Sequence, residues 1–488
     1  MKTCALVVCL AGVLGAQVQN AAPAAPEPVR IGGVTLSGSL RLRGYGWDWF
    51  AADSGDTRYG YSGNILRIAL SQPHEAWDWT AEFAVPFLLG LPQNATASGA
   101  QGALGLGANY LGANHGYQYA AMVFPKQLFV RFTQLGGSRR HMLKVGRFEF
   151  SDGSETTPRS TTVAALKRDR INQRLLGSFG WSDVGRSFDG IHYSYSGRAG
   201  NLTVVAAVPT RGVFQVDGWG WNHAAFGYSA YTAKWGTGSH AADTRVFALY
   251  YDDFRPVLKT DNRPLASRRA DQGSLRILTF GGHTVHAIET HGGTFDVLLW
   301  GAGQTGRWGV QEHRAHAIDA EAGFQPKILP ALKTWLRGGF YDGSGDNHPN
   351  DNLHETFFQV LPTPRPFARF PFFDMANNRD TFAMLIFRPH AKLTISSEFH
   401  ALRLSNPNDL WYAGGGVYQP WSFGYTGRAA GGSRSLANLY DSSVELRMDR
   451  HATFTGYFGY AQGRAAIAAI YPRGTDGKFG YLEALYKF

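Results

Sequence analysis

Apolar and polar residues alternate with period two over much of this 488-residue chain. Counting back from the last residue, Phe488, Tyr486, Ala484 and Leu482 share one face, while Lys487, Leu485 and Glu483 share the other. Leu36, Leu40 and Leu42 alternate with Ser39, Arg41 and Arg43. Leu66, Ile68 and Leu70 oppose Ile65 and Arg67; Ala81, Phe83, Val85 and Phe87 oppose Thr80 and Glu82; Val444, Leu446 and Met448 oppose Glu445 and Arg447. Successive side chains of a strand point to opposite faces, so each run has one apolar and one charged face. The pattern predicts eighteen strands, near 35–49, 60–72, 77–88, 126–135, 141–149, 187–196, 200–209, 226–236, 243–252, 274–286, 293–303, 306–324, 332–341, 379–388, 391–404, 436–449, 452–463 and 477–488.

The connections between these strands alternate in length. Pro73 to Ala76, Gly136 to Arg140, Gly197 to Ala199, Pro389–His390 and Arg450–His451 are short; 89–125, 150–186, 210–225, 405–435 and 464–476 are longer. One connection, near Gln304, is short where a long one is due. Alternating strands, short turns on one side, excursions on the other and a terminal aromatic residue predict an all-β fold: an antiparallel up-and-down transmembrane barrel of about eighteen strands, with short periplasmic turns and long extracellular loops. An even count puts both termini on the short-turn side. Because Arg or Lys on the lipid face costs about 2–4 kcal/mol at mid-bilayer, the charged faces must line the lumen. A barrel of this size has room for water inside.

Composition fits this class. The chain has 60 glycines, 32 phenylalanines, 22 tyrosines and 13 tryptophans. After the N-terminus it has no apolar run long enough for a membrane helix. It also lacks the fixed repeat of 20 to 50 residues that a soluble propeller or solenoid would carry. Lys2 followed by the apolar run Cys4 to Leu14 is the pattern of a secretory signal, expected over 1–24 with cleavage between Ala16 and Ala24, leaving 25–488 as the barrel. The only two cysteines, Cys4 and Cys9, lie within it, which excludes disulfides, thiolate metal sites and cysteine nucleophiles from the mature chain.

The formal charge is +10. Arg41, Arg43, Arg67, Arg131, Arg147, Arg337 and Arg447 are the basic lumen candidates, against Glu82, Glu149, Glu398, Glu445 and Glu483. The segment 150–186 adds Arg159, Lys167, Arg168, Arg170, Arg174 and Arg186. Guanidinium groups in a confined passage attract anions, and their planar fork suits carboxylates. Two readings stand: an anion path, or arginines that pair with lumen acids and brace the wall. Thr161 to Leu176 is amphipathic enough for a short helix with Leu166, Arg170 and Arg174 on one side. It either folds into the lumen as a constriction or packs on the rim. No GxSxG, HExxH or Walker A pattern occurs, and His283/His286 and His313/His316 are spaced so that each pair points to opposite faces of its strand. Asp342 to Asp351 departs from a calcium loop at Asn347 and Leu353. No catalytic residue, metal or cofactor is expected.

Two stretches resemble the alginate export family of outer-membrane proteins. One spans Lys144 to Gly190, with KVGRFEFSDGSETTP, AALKRDRINQRLLGSFGW and GRSFDG; the other spans Gly338 to Gly416, with GGFYDGSGDNHPNDNLHETFFQVLPTPRPFARFPFFDMANNRD, RPH and LRLSNPNDLWYAGGG. The resemblance implies a monomeric eighteen-stranded barrel with an electropositive pore that passes an anionic polysaccharide. It places Arg147, Lys167, Arg168, Asp169, Arg170, Arg174 and Arg186 in the basic pore segment, Asp152 and Glu155 in the same motif, and Arg365 and Arg369 in the second. The expected function is passive export of a polymer such as alginate. The alternatives are an anion-selective porin for small solutes and a barrel enzyme or adhesive surface protein. The expected partners are the polysaccharide, outer-membrane lipid, the barrel-assembly machinery through the strand ending at Phe488, and periplasmic export proteins, with no nucleic acid. No periplasmic connection is long enough for a gating loop. The Gly/Ala-rich run Ser98 to Ala113 within 89–125 suits either a mobile flap over the extracellular mouth or a disordered surface loop.

Overall fold

The computed structural model describes residues 27–363, 367–371, 373–414 and 418–488. The expected signal segment 1–24 and Arg365 lie outside the described residues. Eighteen long strands form one closed antiparallel barrel. They are β1 (Val34–Asp48), β2 (Arg58–Pro73), β3 (Trp77–Leu89), β4 (Phe124–Phe132), β5 (His141–Phe148), β6 (Phe188–Ser196), β7 (Asn201–Pro209), β8 (Ala224–Trp235) and β9 (His240–Asp253). The second half is β10 (Leu275–Glu289), β11 (Gly293–Trp308), β12 (Gln311–Pro326), β13 (Trp335–Gly343), β14 (Arg379–His390), β15 (Leu393–Arg403), β16 (Ser435–Arg447), β17 (Ala452–Gly463) and β18 (Asp476–Lys487). Each strand pairs with its neighbours in sequence. The cylinder closes where β18 meets β1, with Ser39 opposite Lys487 and Asp48 opposite Lys478. Closure leaves no unpaired sheet edge, as a hydrocarbon environment demands. Beyond the last ladder pair, the Phe488 and Gly38 backbones exchange hydrogen bonds of 2.8 and 3.0 Å.

All eighteen expected strands are present. The largest shift is at the β11–β12 hairpin, where the turn is Gly309–Val310 and not Gln304–Thr305. Gly301, Gly303 and Gly306 look like turn residues but lie within β11. Gly306 has φ 144°, and a Cβ there would fall 2.0 Å from the carbonyl oxygen of Arg276. The glycine permits close strand approach and does not end the strand. The connection is nonetheless as short as the sequence implied, and it sits on the long-loop side.

The two faces divide as the alternation requires. Val246, Phe280, Ile318 and Leu482 are exposed on the outside, at 53–74 %. On the intervening positions Asp243, Arg245, Asp319, Glu321 and Arg337 are buried inside. Long connections fold inward as well. The helix α1 (Leu106–Ala113), in the first long loop, packs Tyr110 against Phe214 and Tyr61, with ring centroids 5.0 and 5.9 Å away. The Gly/Ala-rich run is therefore partly a packed helix rather than a loose flap.

Two further long loops are tied together at the mouth. Asp409 accepts the backbone N–H of Asp346 at 2.9 Å, the Leu410 N–H at 2.7 Å and the Tyr412 hydroxyl at 3.0 Å. The Thr356 hydroxyl donates to it too. Burial pushes the Asp409 carboxyl up to about 7 and that of Asp346 up to about 6. A carboxyl whose value is raised on docking stabilises the docked loops most below its ordinary value, near pH 4, and loses that contribution as pH rises through 6 to 7. Limited proteolysis within 344–378 and 404–434 should therefore be slower at pH 5 than at pH 8. Asp409→Asn should shrink the difference; an unchanged pH difference in that variant would refute the assignment.

Candidate functional site

The connection between β5 and β6 crosses the lumen from one wall to the other. In a closed barrel of eighteen strands, β1 and β10 stand on opposite sides. At the β1–β2 wall, Arg41 donates to the Gly180 carbonyl at 2.8 Å, and Arg43 to the Trp181 carbonyl at 2.8 Å. The Tyr45 hydroxyl donates to Asp183, 2.8 Å away. Asp183 reaches the wall because residue 63 is glycine: a Cβ there would sit 2.1 Å from the Asp183 carboxylate. Arg43 also pairs with Glu483 of β18. A register shift opposite Glu82 and Phe83 turns Lys126 inward, and its ammonium donates to the carbonyls of Val184 and Arg186 at 3.2 and 3.0 Å.

At the far wall the same loop presents its basic side chains to acids. Ser160 caps the helix α2 (Thr161–Leu166), which continues as a π turn over Lys167–Ile171. The helix then breaks, with Asn172 extended and Gln173 at φ 65°. Leu166 and Ile171 are buried. Lys167 meets Asp243 of β9 at 2.9 Å, and Arg170 meets Glu321 of β12 at 2.9 Å. Arg174 pairs with Asp319 and lies 3.5 Å from Glu321. Arg337 of β13 completes the cluster, 2.6 Å from Glu321 and paired with Asp296. In the reverse sense, Arg245 of β9 reaches from the wall to Glu155 at 2.9 Å and Asp152 at 3.4 Å in the loop. Asp152 also accepts the N–H groups of Leu175 and Leu176, at 3.1 and 3.0 Å, and so fixes the return of the chain after α2. Aromatic faces cover the cations: the Arg174 guanidinium is 4.5 Å from the Phe367 ring and 5.0 Å from Trp300, and that of Arg170 is 4.6 Å from Phe382.

The amphipathic segment therefore lies in the lumen and not on the rim. Lys167, Arg170 and Arg174 are not an open collar: their charges are matched by wall carboxylates, and all three are buried. Arg186 is also buried and donates to the Pro362 carbonyl at 3.1 Å. Arg67 pairs with Glu82 and Glu149. The Arg369 backbone N–H donates to Asp441 at 3.2 Å, with its guanidinium 5.8 Å from the Tyr457 ring. Among the lumen and loop arginines expected from the sequence, three that reach water lie toward the short-turn end. The side chains of Arg131, Arg168 and Arg447 are 43, 65 and 41 % exposed, beside Asp78, Asp169 and Glu445 respectively.

Arg147 corrects one expectation. It shares the outward parity of Val145 and faces Asp189, which shares the parity of Ile191; both aliphatic residues are exposed on the outer face. Its guanidinium holds Asp189 at 2.7 Å and is covered by the carbonyls of Gly218 and Trp219. This outward charge is tolerated at the end of its strand because the β7–β8 loop folds over the outside and a carboxylate neutralises it. Sequence reasoning also missed Asp243, Arg245, Asp296, Asp319 and Glu321. The signal was present: Asp319 and Glu321 lie two apart in a long strand, so they share one face, and the cost that turned arginines inward applies to acids too.

A closed even-numbered barrel with an aliphatic outer belt and a charged, loop-spanned interior is an outer-membrane channel. The chain belongs to the alginate export family, whose sequence profile matches residues 118–463. No curated protein matches it in sequence. Its fold is similar to Pseudomonas aeruginosa OccK9 (OpdG), at TM-score 0.57 and 9 % identity, covering 93 % of this chain and 98 % of that one. Acinetobacter baumannii OccAB2 gives 0.57 at 8 % identity with the same coverage. Pseudomonas aeruginosa OccK2 (OpdF), solved in complex with glucuronate, gives 0.55 at 8 %, again with the same coverage. Family and fold together point to the outer membrane of a Gram-negative bacterium.

Removing one partner from a buried ion cluster leaves the others uncompensated and costs about 3–5 kcal/mol, whereas an exposed pair contributes at most about 1 kcal/mol. Glu321→Gln should lower the temperature at which the folded gel band converts to the unfolded one, and should make single-channel current noisier as the loop loosens. Arg168→Gln should leave the conversion temperature unchanged. Equal behaviour of the two variants would show that the cluster does not anchor the loop.

Proposed function

We propose that this barrel lets an anionic polysaccharide, with alginate as the first candidate, leave the cell by passive diffusion. The observation that carries the reading is the family match over 118–463. The distribution of charge supports it. Arginines bound to wall acids hold the loop as a septum, and exposed arginines at the short-turn end attract the polymer. Arg168 and Arg388 lie within electrostatic reach of each other, of Asp169 and of Glu445, next to Arg447 on the same strand. Such groups offer carboxylates a fork already shared with an acid, so attraction is weak enough for release. Among the sequence-derived candidates, Arg131, Arg168, Asp169, Glu445 and Arg447 remain the proposed lining of the path. The working form is a monomer, assembled through the strand ending at Phe488 and met by periplasmic export proteins at its short-turn face.

A second reading, an anion-selective porin for small carboxylates, draws on two solved relatives in fold: OccK2 with glucuronate and OpdK with vanillate. Electrical recording in planar bilayers separates the two. The exporter should be anion-selective and blocked by oligouronates added on the short-turn side, with block tightening as the oligomer lengthens. Replacing Arg168, Arg388 and Arg447 together by Gln should shift the reversal potential in a salt gradient toward cation preference and weaken the block. Anion selectivity without block by any oligomer would favour the small-solute porin. An unchanged reversal potential in the triple variant would remove these residues from the path.

A further inference from the structure

At the long-loop side, a cavity of about 350 Å³ lies between three loops. Asn109 of α1 forms one side, Leu258 and Thr260 of the β9–β10 loop a second, and Trp421, Phe423 and Tyr425 of the β15–β16 loop a third. The cavity is lined mainly by polar groups, with aromatic side chains of the β15–β16 loop along one side. Trp421 is 54 % exposed although it sits in a loop that is otherwise well packed. An exposed indole held by a rigid frame offers a fixed flat apolar face to a ligand.

The frame is rigid for an identifiable reason. Arg255, paired with Asp253 at 2.6 Å, donates to the Ser422 carbonyl at 2.8 Å and to the Phe423 carbonyl at 3.1 Å, and binds the Gln419 carbonyl as well. Its guanidinium lies 4.0 Å from the Tyr418 ring. Gly424, at φ 110°, makes the reversal that returns the chain to Tyr425, whose carbonyl accepts the Thr260 hydroxyl at 3.0 Å. One buried arginine thus fixes three backbone carbonyls, those of Gln419, Ser422 and Phe423, on either side of Trp421 before any ligand arrives, which lowers the ordering cost of binding. A cation stands beside the indole: the Arg211 guanidinium carbon is 5.6 Å from a Trp421 ring centroid, and Arg211 pairs with Asp217 at 3.1 Å.

Resting on the proposed function, we infer that this cavity is an exit subsite for one uronate residue of the departing polysaccharide. The C–H face of the sugar ring lies on Trp421, its hydroxyls turn to the edge formed by Asn109 and Thr260, and its carboxylate meets Arg211. A pyranose has an apolar face and a polar rim, and the cavity presents the complementary surface. A weak subsite here delays the chain at the outer mouth and so disfavours its return through the septum.

Bilayer recordings with the full-length barrel test this, using a mannuronate hexamer and a neutral glucan hexamer added on the long-loop side. In the parent, the uronate should block at lower concentration than the glucan. Trp421→Ala should raise the half-blocking uronate concentration about tenfold, leaving conductance, reversal potential and the heat-modified gel shift as in the parent. Arg211→Gln should abolish only the preference for uronate over glucan. An unchanged half-blocking concentration in Trp421→Ala overturns the subsite. So does a uronate block that occurs from the short-turn side alone, and in that case the proposed export function stands. Equal block by glucan and uronate in the parent overturns the uronate assignment. No block by uronate from either side overturns both the subsite and polysaccharide export.

Discussion

The carboxylates of the inner wall determine how the rest of this channel is arranged. Asp243 on β9 and Asp319 and Glu321 on β12 are fixed by ladder hydrogen bonds, and they face inward because the outer face meets lipid. Buried carboxylates without partners would be costly, and the partners come from a loop. Lys167, Arg170 and Arg174 enter the lumen because acids await them there. The loop's apolar residues Val163, Leu166, Ile171 and Leu175 are buried as well, in one cluster with Val285 and Leu298 of the wall. Charge matching works beside apolar packing in holding the loop.

This arrangement separates two roles that arginine plays in one protein. A guanidinium matched by two acids and covered by aromatic rings, as Arg174 is, serves as a strut and is poorly placed to meet a passing polymer. One that shares an acid at the water's edge, as Arg168 does, keeps donors within reach of another anion. Counting basic residues along the chain cannot tell the two apart. The +10 charge describes the attraction of the whole molecule for anions, while the solvent-reached charges set what happens along the path.

The barrel was legible from the sequence because lipid imposes period two with few exceptions. Several strands show an apolar face, and there the lipid cost of a charge reads directly as orientation. The strand ends were less legible where glycine lies inside a strand, as at Gly306, since the same residue marks turns and close backbone approach. In the candidate site the basic segment was visible and its partners were not. Pairing Arg174 with Asp319 needs the third dimension, because 145 residues separate them. Arg147 was misplaced because an inward assignment holds only where lipid is the alternative, and at the end of β5 a folded loop lies outside the wall instead.

The seam between β1 and β18 is more than the place where the cylinder ends. On its inner face Arg43 holds Glu483 of the last strand while its other donor binds the Trp181 carbonyl, and Asp183 lies within 3.8 Å. First strand, last strand and septum thus converge on one guanidinium. A cylinder that shuts without its septum leaves Arg43 without the Trp181 carbonyl and the Asp183 carboxylate, with Glu483 alone to answer its charge. The join between first and last strand is therefore firmest in the filled barrel, and the septum acts as a clasp on the cylinder that contains it.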